Sequence, residues 1–233
     1  MKYPTQLTRI AIISLSVFSA SVSAQGPWVE AREAYETGYD RHELAFRGGY
    51  DFANSAGIML TNAYDTGRYD QLKHSFNELE GWYPLYSFEN FTLMGGAIVN
   101  ENSDGSGGAA YFDFRYIVDP ALSFVLRTRY NYRNYDSINL HNNMQPNDTG
   151  EFHLGMNYII NPDWTYYLEP TYVQQVNDFH SANNRDHHWE INNVITYTGF
   201  LNWRPYVEIG YMDRVIAEHD DNYRIRLGLR YNF

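Results

Sequence analysis

The chain of 233 residues contains no cysteine. Disulfide bonds, thiolate metal sites and a cysteine nucleophile are therefore excluded. Lysine is nearly absent too, with only Lys2 and Lys73. Lys and Arg together number 17 against 28 Asp and Glu, a formal net charge of -11. That balance argues against a nucleic-acid partner, because a phosphate-reading protein needs a basic face. No internal apolar run reaches about 18 residues, which excludes a helix-spanning membrane protein. Charged residues make up only 19% of the chain while aromatics reach 17%, the reverse of a disordered composition. Two classes survive. One is a soluble acidic protein; the other is a membrane β-barrel, whose alternating apolar and polar residues average to a polar sequence.

Residues 1–24 read as a signal peptide. Lys2 and Arg9 precede or open the apolar stretch Ile10 to Ala20, and Val22-Ser23-Ala24 is a small-x-small cleavage site. The stretch is too short to cross a bilayer. Gln25 is the expected first residue of the exported chain. Removing Lys2 and Arg9 from the 17 basic residues leaves 15 against 28 acidic, a net -13.

The remainder, 25–233, alternates with period two. At the end of the chain Tyr223, Ile225, Leu227, Leu229, Tyr231 and Phe233 alternate with Arg224, Arg226, Gly228, Arg230 and Asn232. This run is about twice the usual strand of five or six residues. Aromatics stand at both ends of the apolar face and aliphatics lie between them. In a bilayer that arrangement places the rings at the two interfaces and Ile/Leu in the hydrocarbon. The same pattern recurs around 110–116, 122–133, 151–158, 164–172, 188–197 and 203–211, and less cleanly around 43–51 and 78–85. Spacing places further strands near 29–36, 56–64 and 91–99.

Short turns are expected near Asn54-Ser55, 87–90, 118–120, 161–163 and 198–201. Asp119-Pro120 and Asn161-Pro162 initiate two of them. Longer polar segments are expected at 37–41, 65–76, 100–108, 134–149, 177–187 and 213–222. Five short turns and six longer loops connect twelve strands. The expected fold is all-β, a twelve-stranded antiparallel transmembrane β-barrel in the outer membrane. Both termini then fall on the short-turn, periplasmic side. A soluble sandwich or lipocalin-like barrel would turn its apolar face inward, and a dry core could not hold the charges on the opposite faces.

Those opposite faces carry a basic set: Arg47, Arg115, Arg127, Arg129, Arg133, Arg204, Arg224, Arg226 and Arg230. They also carry Glu43, Asp51, Glu78, Glu80, Asp113, Glu151, Glu169, Glu190 and Glu208. Two arrangements are open. The arginines pair with the carboxylates and brace a narrow barrel, or they form a track for an anionic solute. The stripes on 122–133 and 223–233 lie on roughly opposite walls of a twelve-strand cylinder. Arg presents a rigid planar fork that suits carboxylates and stacks on rings. The track is the expected role.

Other chemistry finds little support. None of the eight His has Ser two residues away on one strand face, and adjacent strand residues point to opposite faces. Asn100-x-Asn102-x-Asp104-Gly105 resembles the start of a calcium loop, but its twelfth position is Tyr111 rather than Glu. No phosphate loop, dinucleotide fingerprint or nucleophile elbow is present. No cofactor, no metal and no catalysis are expected. A lipid-modifying enzyme and a structural or adhesive barrel remain as alternatives.

The ending RIRLGLRYNF, the turn-aromatic-strand segments NPDWTYYLEP and FLNWRPYVEIG, and the opening strand around Arg32 and Tyr35 resemble the oligogalacturonate-specific porin family of small monomeric outer-membrane porins. The resemblance spans all of 25–233. It implies passive uptake of acidic oligosaccharides through a pore lined by arginines, here Arg127, Arg129, Arg133, Arg204, Arg224, Arg226 and Arg230. The expected partners are outer-membrane lipid, anionic oligosaccharides, and the barrel assembly machinery reading the terminal Phe233. The expected state is a monomer.

Overall fold

In the computed structural model the described residues are 25–38, 40–66, 72–103, 105–134, 136–138, 141–180, 184–213 and 222–233. Residues 1–24, the expected signal peptide, lie outside them. The elements are β1 (Gly26–Glu36), β2 (Arg41–Asp51), β3 (Gly57–Thr66), β4 (Leu72–Phe88), β5 (Phe91–Asn102), β6 (Gly105–Asp119) and β7 (Leu122–Arg133). Then follow β8 (Asp136–Ile138), β9 (Met144–Pro146), β10 (Thr149–Asn161), β11 (Trp164–Gln175), β12 (His187–Tyr197), β13 (Trp203–Met212) and β14 (Asn222–Asn232). Twelve of these strands close into an antiparallel barrel in chain order, and β8–β9 forms a separate hairpin. Closure comes from β1 pairing β14, with Trp28 opposite Asn232 and Glu36 opposite Arg224.

The alternation decides which way each side chain faces. Along β14, Ile225, Leu227 and Leu229 point out and are 51%, 55% and 42% exposed to the surroundings. Ile209 on β13 and Leu60 on β3 are each 56% exposed. A continuous apolar band of this kind is unstable in water and is the surface a bilayer demands. Barrel strands of 10 to 17 residues match the span, since about 9–11 tilted residues cross the hydrocarbon. Ring pairs flank the band. Trp203–Tyr231, Trp164–Tyr197 and Tyr231–Phe233 sit at the short-turn end with centroids 4.6, 4.9 and 4.9 Å apart. Tyr172–Trp189, at 4.9 Å, and Tyr211–Tyr223, at 5.7 Å, sit at the other.

The buried layer is the inner wall. Ala34, Ala45 and Ala63 lie there almost fully covered, together with Asp113 and Asn222. The short turns fall where Asx chemistry puts them. Asp119 accepts the Ala121 and Leu122 N–H groups at 2.7 and 2.9 Å. Asn161 accepts from Asp163 at 2.9 Å, and Asn54 from Ala56 at 3.1 Å.

Two expected loops are shorter than their composition suggests. The segment 100–108 is mostly strand: β5 continues to Asn102, which pairs with Gly105 at the start of β6. The Asn102 side-chain oxygen accepts the Gly105 N–H at 3.1 Å, so this asparagine of the calcium-like spacing caps a tight turn. Gly107 and Gly108 read as loop residues because they lack side chains. Their role is close strand approach, since a Cβ at Gly107 would come 2.9 Å from the Tyr132 carbonyl. The segment 65–76 is likewise consumed from both sides, by β3 to Thr66 and β4 from Leu72. Conversely, 134–149 contains the β8–β9 hairpin, too short for periodicity to reveal.

Candidate functional site

The lumen wall collects all nine arginines expected there. Arg47, Arg204, Arg224, Arg226 and Arg230 lie on the β13–β14–β1–β2 side. Arg115, Arg127, Arg129 and Arg133 lie on β6 and β7, roughly across the cylinder.

On the first side Glu208 is the centre. Arg224 donates to it at 3.0 Å and Arg226 at 2.6 Å. Arg224 also reaches Asn192 at 2.9 Å and lies 3.8 Å from Glu36. Glu36 in turn holds Arg41 at 3.1 Å. Glu30 accepts from Arg47 at 3.2 Å and from the Tyr206 hydroxyl at 3.0 Å. Arg230 donates to Asp51 at 2.8 Å and stacks 4.0 Å over the Trp28 ring. Arg204, at the short-turn end, donates to main-chain carbonyls instead, Phe200 and Trp203 among them.

On the second side Asp113 takes a bidentate grip from Arg127, at 2.7 and 3.0 Å, and a 3.3 Å bond from Arg115. Arg127 lies 4.0 Å over the Tyr111 ring, whose hydroxyl donates to Glu80 at 2.5 Å. Arg129 donates to Asn131 at 2.6 Å and lies 3.8 Å from Glu151. The Arg133 main-chain N–H donates to Asp148. His153 sits between carboxylates, Nε2 2.9 Å from Glu151 and Nδ1 3.5 Å from Glu169. Nδ1 also lies 3.0 Å from the Thr171 hydroxyl. Thr171, His153 and Glu151 thus have the connectivity of a nucleophile, base and carboxylate. Thr171 is only 3% exposed, packed into the wall beside His153.

At least seven of the nine arginines therefore hold carboxylates. Bracing and lining are not alternatives here, because the two partners sit at different depths. In every Arg–carboxylate pair among the described residues the arginine is the more exposed partner. Arg115 is 44% exposed over Asp113 at 2%, and Arg47 is 24% over Glu30 at 7%. The short acidic side chains lie against the wall. The longer arginines extend past them and present guanidinium edges to the lumen.

Aromatic side chains on the inner face lie flat. Trp28 covers Gly49, Trp82 covers Gly57, Tyr111 covers Gly96, and Tyr206 covers Gly228, each glycine directly opposite on the neighbouring strand. A Cβ at any of the four would collide with the ring. Ring-on-glycine pairs of this kind secure the sheet and keep the bore clear. A lumen cavity of about 560 Å³ opens beside them, with Arg32, Arg47, Tyr167, Arg204, Tyr206 and Arg230 in its lining.

Arg32 and Arg41 are lumen arginines absent from the sequence-derived inner set, Arg41 sharing the inner parity of Arg47 on β2 and holding Glu36 and Asp65. β1 hides the parity of Arg32: Trp28 and Ala34 lie on the inner face and Glu33 on the outer. Pairing β1 as a strict alternation from Val29 and Ala31 would have recovered it.

The model of the family described as oligogalacturonate-specific porin protein (KdgM) matches residues 18–233. The N-acetylneuraminic acid outer membrane channel protein NanC of Escherichia coli (strain K12) is 23% identical over 209 residues, 87% of each chain. The oligogalacturonate-specific porin KdgM of Dickeya dadantii is 26% identical over 239 residues, covering 97% of this chain and all of that one. In fold, a NanC porin structure superposes with a TM-score of 0.80 at 20% identity, covering 88% of this chain and 100% of the other.

Proposed function

Because the chain belongs to the oligogalacturonate-specific porin (KdgM) family of the outer membrane, we propose that its barrel passes acidic oligosaccharides by diffusion into the periplasm. Supporting this reading is the depth order of the lumen charges. Guanidinium groups stand in front of the carboxylates that neutralise them, so a solute in the bore meets cations first. Charges near a low-dielectric wall act on passing ions more strongly than the same charges in bulk water. The nine expected arginines are the track residues in this proposal, and the work is conduction without chemistry. The names of the relatives, one for oligogalacturonate and one for a sialic acid, agree on a sugar bearing a carboxylate.

The remaining assignments go with it. Residues 1–24 direct export and are removed, and the barrel works as a monomer with both termini in the periplasm. Its apolar band contacts lipid, and the terminal Phe233 serves recognition by the assembly machinery. The test is the zero-current potential of the purified protein in planar bilayers under a salt gradient, with liposome swelling across a sugar panel. Chloride should outrun potassium, and galacturonate oligomers should enter faster than neutral oligomers of equal length. Potassium preference, or equal entry of both sugars, would refute the proposal.

A further inference from the structure

Arg32 differs from its neighbours Arg47 and Arg226 in holding no carboxylate in an ion pair. Among the described residues it makes no ion pair within 4.0 Å, and its buried Nε has no hydrogen-bond partner. Its electrostatic surroundings are the cations Arg47 and Arg226, the Tyr206 phenol group and Glu30. Glu30 is already claimed by Arg47 and by the Tyr206 hydroxyl, at 3.2 and 3.0 Å. A guanidinium with an empty donor edge, beside two further cations, is a site where an anion gains more than it would at a paired arginine.

Tyr206 supplies the second surface. It starts on β13, crosses Gly228 on β14 and anchors its hydroxyl on Glu30 of β1. Gly228 is the residue opposite Arg32. One ring face therefore rests on the wall and the other looks into the bore, next to the unpaired guanidinium. The cavity that both residues line, about 560 Å³, falls in the range of about 300–1,000 Å³ typical of small-molecule sites. Elsewhere its lining offers neutral hydrogen-bonding groups, Asn157, Thr165 and Thr196, and a second ring, Tyr167; its two carboxylates, Glu30 and Glu208, are already held by Arg47 and by Arg224 with Arg226.

We infer that Arg32 and Tyr206 form a subsite for one carboxylated pyranose unit, with the guanidinium holding the carboxylate and the ring holding the sugar's C–H face. Inorganic anions use only the first half of the site, and neutral sugars only the second. The inference rests on the pore reading above and adds a residence step to it: a sugar acid pauses where a chloride ion does not.

Single-channel recording of the full barrel tests it, with trigalacturonate and maltotriose as probes. Trigalacturonate should interrupt the wild-type current in resolved events. Arg32→Gln should shorten those events about tenfold or more, the loss of one charge-assisted hydrogen bond, and leave maltotriose events unchanged. Arg32→Lys keeps charge without the planar fork and should give an intermediate residence; it carries the test if Arg32→Gln forms no channels. Tyr206→Phe should keep the events and Tyr206→Leu should shorten those of both sugars. Wild-type residence in Arg32→Gln, equal shortening of maltotriose, or no interruptions in an anion-preferring wild type would overturn the subsite. A wild type without anion preference would instead overturn the pore reading.

Discussion

Glu208 offers a measurement in which removing positive charge exposes a buried negative one. Its side chain is 8% exposed and lies between Arg224 at 3.0 Å and Arg226 at 2.6 Å. At an effective dielectric constant of about 20, each contact is worth about 6 kcal/mol before desolvation is subtracted. Either arginine alone still neutralises the carboxylate. Arg226→Gln should therefore cost about 1 kcal/mol of barrel stability, the net value of one hydrogen bond. The double variant Arg224→Gln/Arg226→Gln leaves Glu208 without a partner from β14, and Glu36 loses Arg224 but keeps Arg41. Stranding one buried charge costs about 3–5 kcal/mol, more than twice the single loss. Adding Glu208→Gln to the double variant should recover most of it, because amides can hydrogen-bond without charge. Urea titration of the barrel in lipid vesicles, followed by tryptophan fluorescence, reads all of these losses. Bilayer recording of the double variant should show chloride preference falling, with partial recovery in the triple variant, whose lumen has lost one net positive charge rather than two. Additive single losses, or a triple variant no more stable than the double, would refute the idea that the buried carboxylate needs one of the two arginines.

Two further outcomes check the wall from either side. Leu227 lies at the centre of β14 and faces outward, 55% exposed, between Glu33 of β1 and Val207 of β13. Leu227→Arg should destabilise the barrel in vesicles by about 2–4 kcal/mol, as a cation at bilayer mid-depth does. Asp51→Asn removes the carboxylate at 2.8 Å from Arg230 while the guanidinium keeps its stacking on Trp28, 4.0 Å away. Its zero-current potential should shift toward stronger chloride preference, and an unchanged or reversed shift would contradict a track in which arginines outrank carboxylates.

The period of two is a local property, and it carries most of the architecture. Each strand declares its own lipid face and lumen face through residues two apart, so strand number, the turns at Asn54, Asp119 and Asn161, and the inward direction of the nine arginines are legible from the chain alone. Exceptions arise where composition and role diverge. Ser106-Gly107-Gly108 has the content of a loop but serves a close sheet, and Glu33 stands on an otherwise apolar face.

Pairing is not local. Asp113 meets Arg127, Glu151 meets Arg129 and Glu208 meets Arg226 because register aligns them across strands. Register depends on every turn length between those strands. At the seam it depends on closure between Trp28 and Asn232, more than 200 residues apart. A list of inward charges showed comparable numbers of each sign and left bracing and guidance as competing roles. Only the folded barrel orders them by depth, carboxylates against the wall and guanidinium groups in front. It also singles out Arg32, which among the described residues makes no ion pair within 4.0 Å and whose buried Nε has no hydrogen-bond partner.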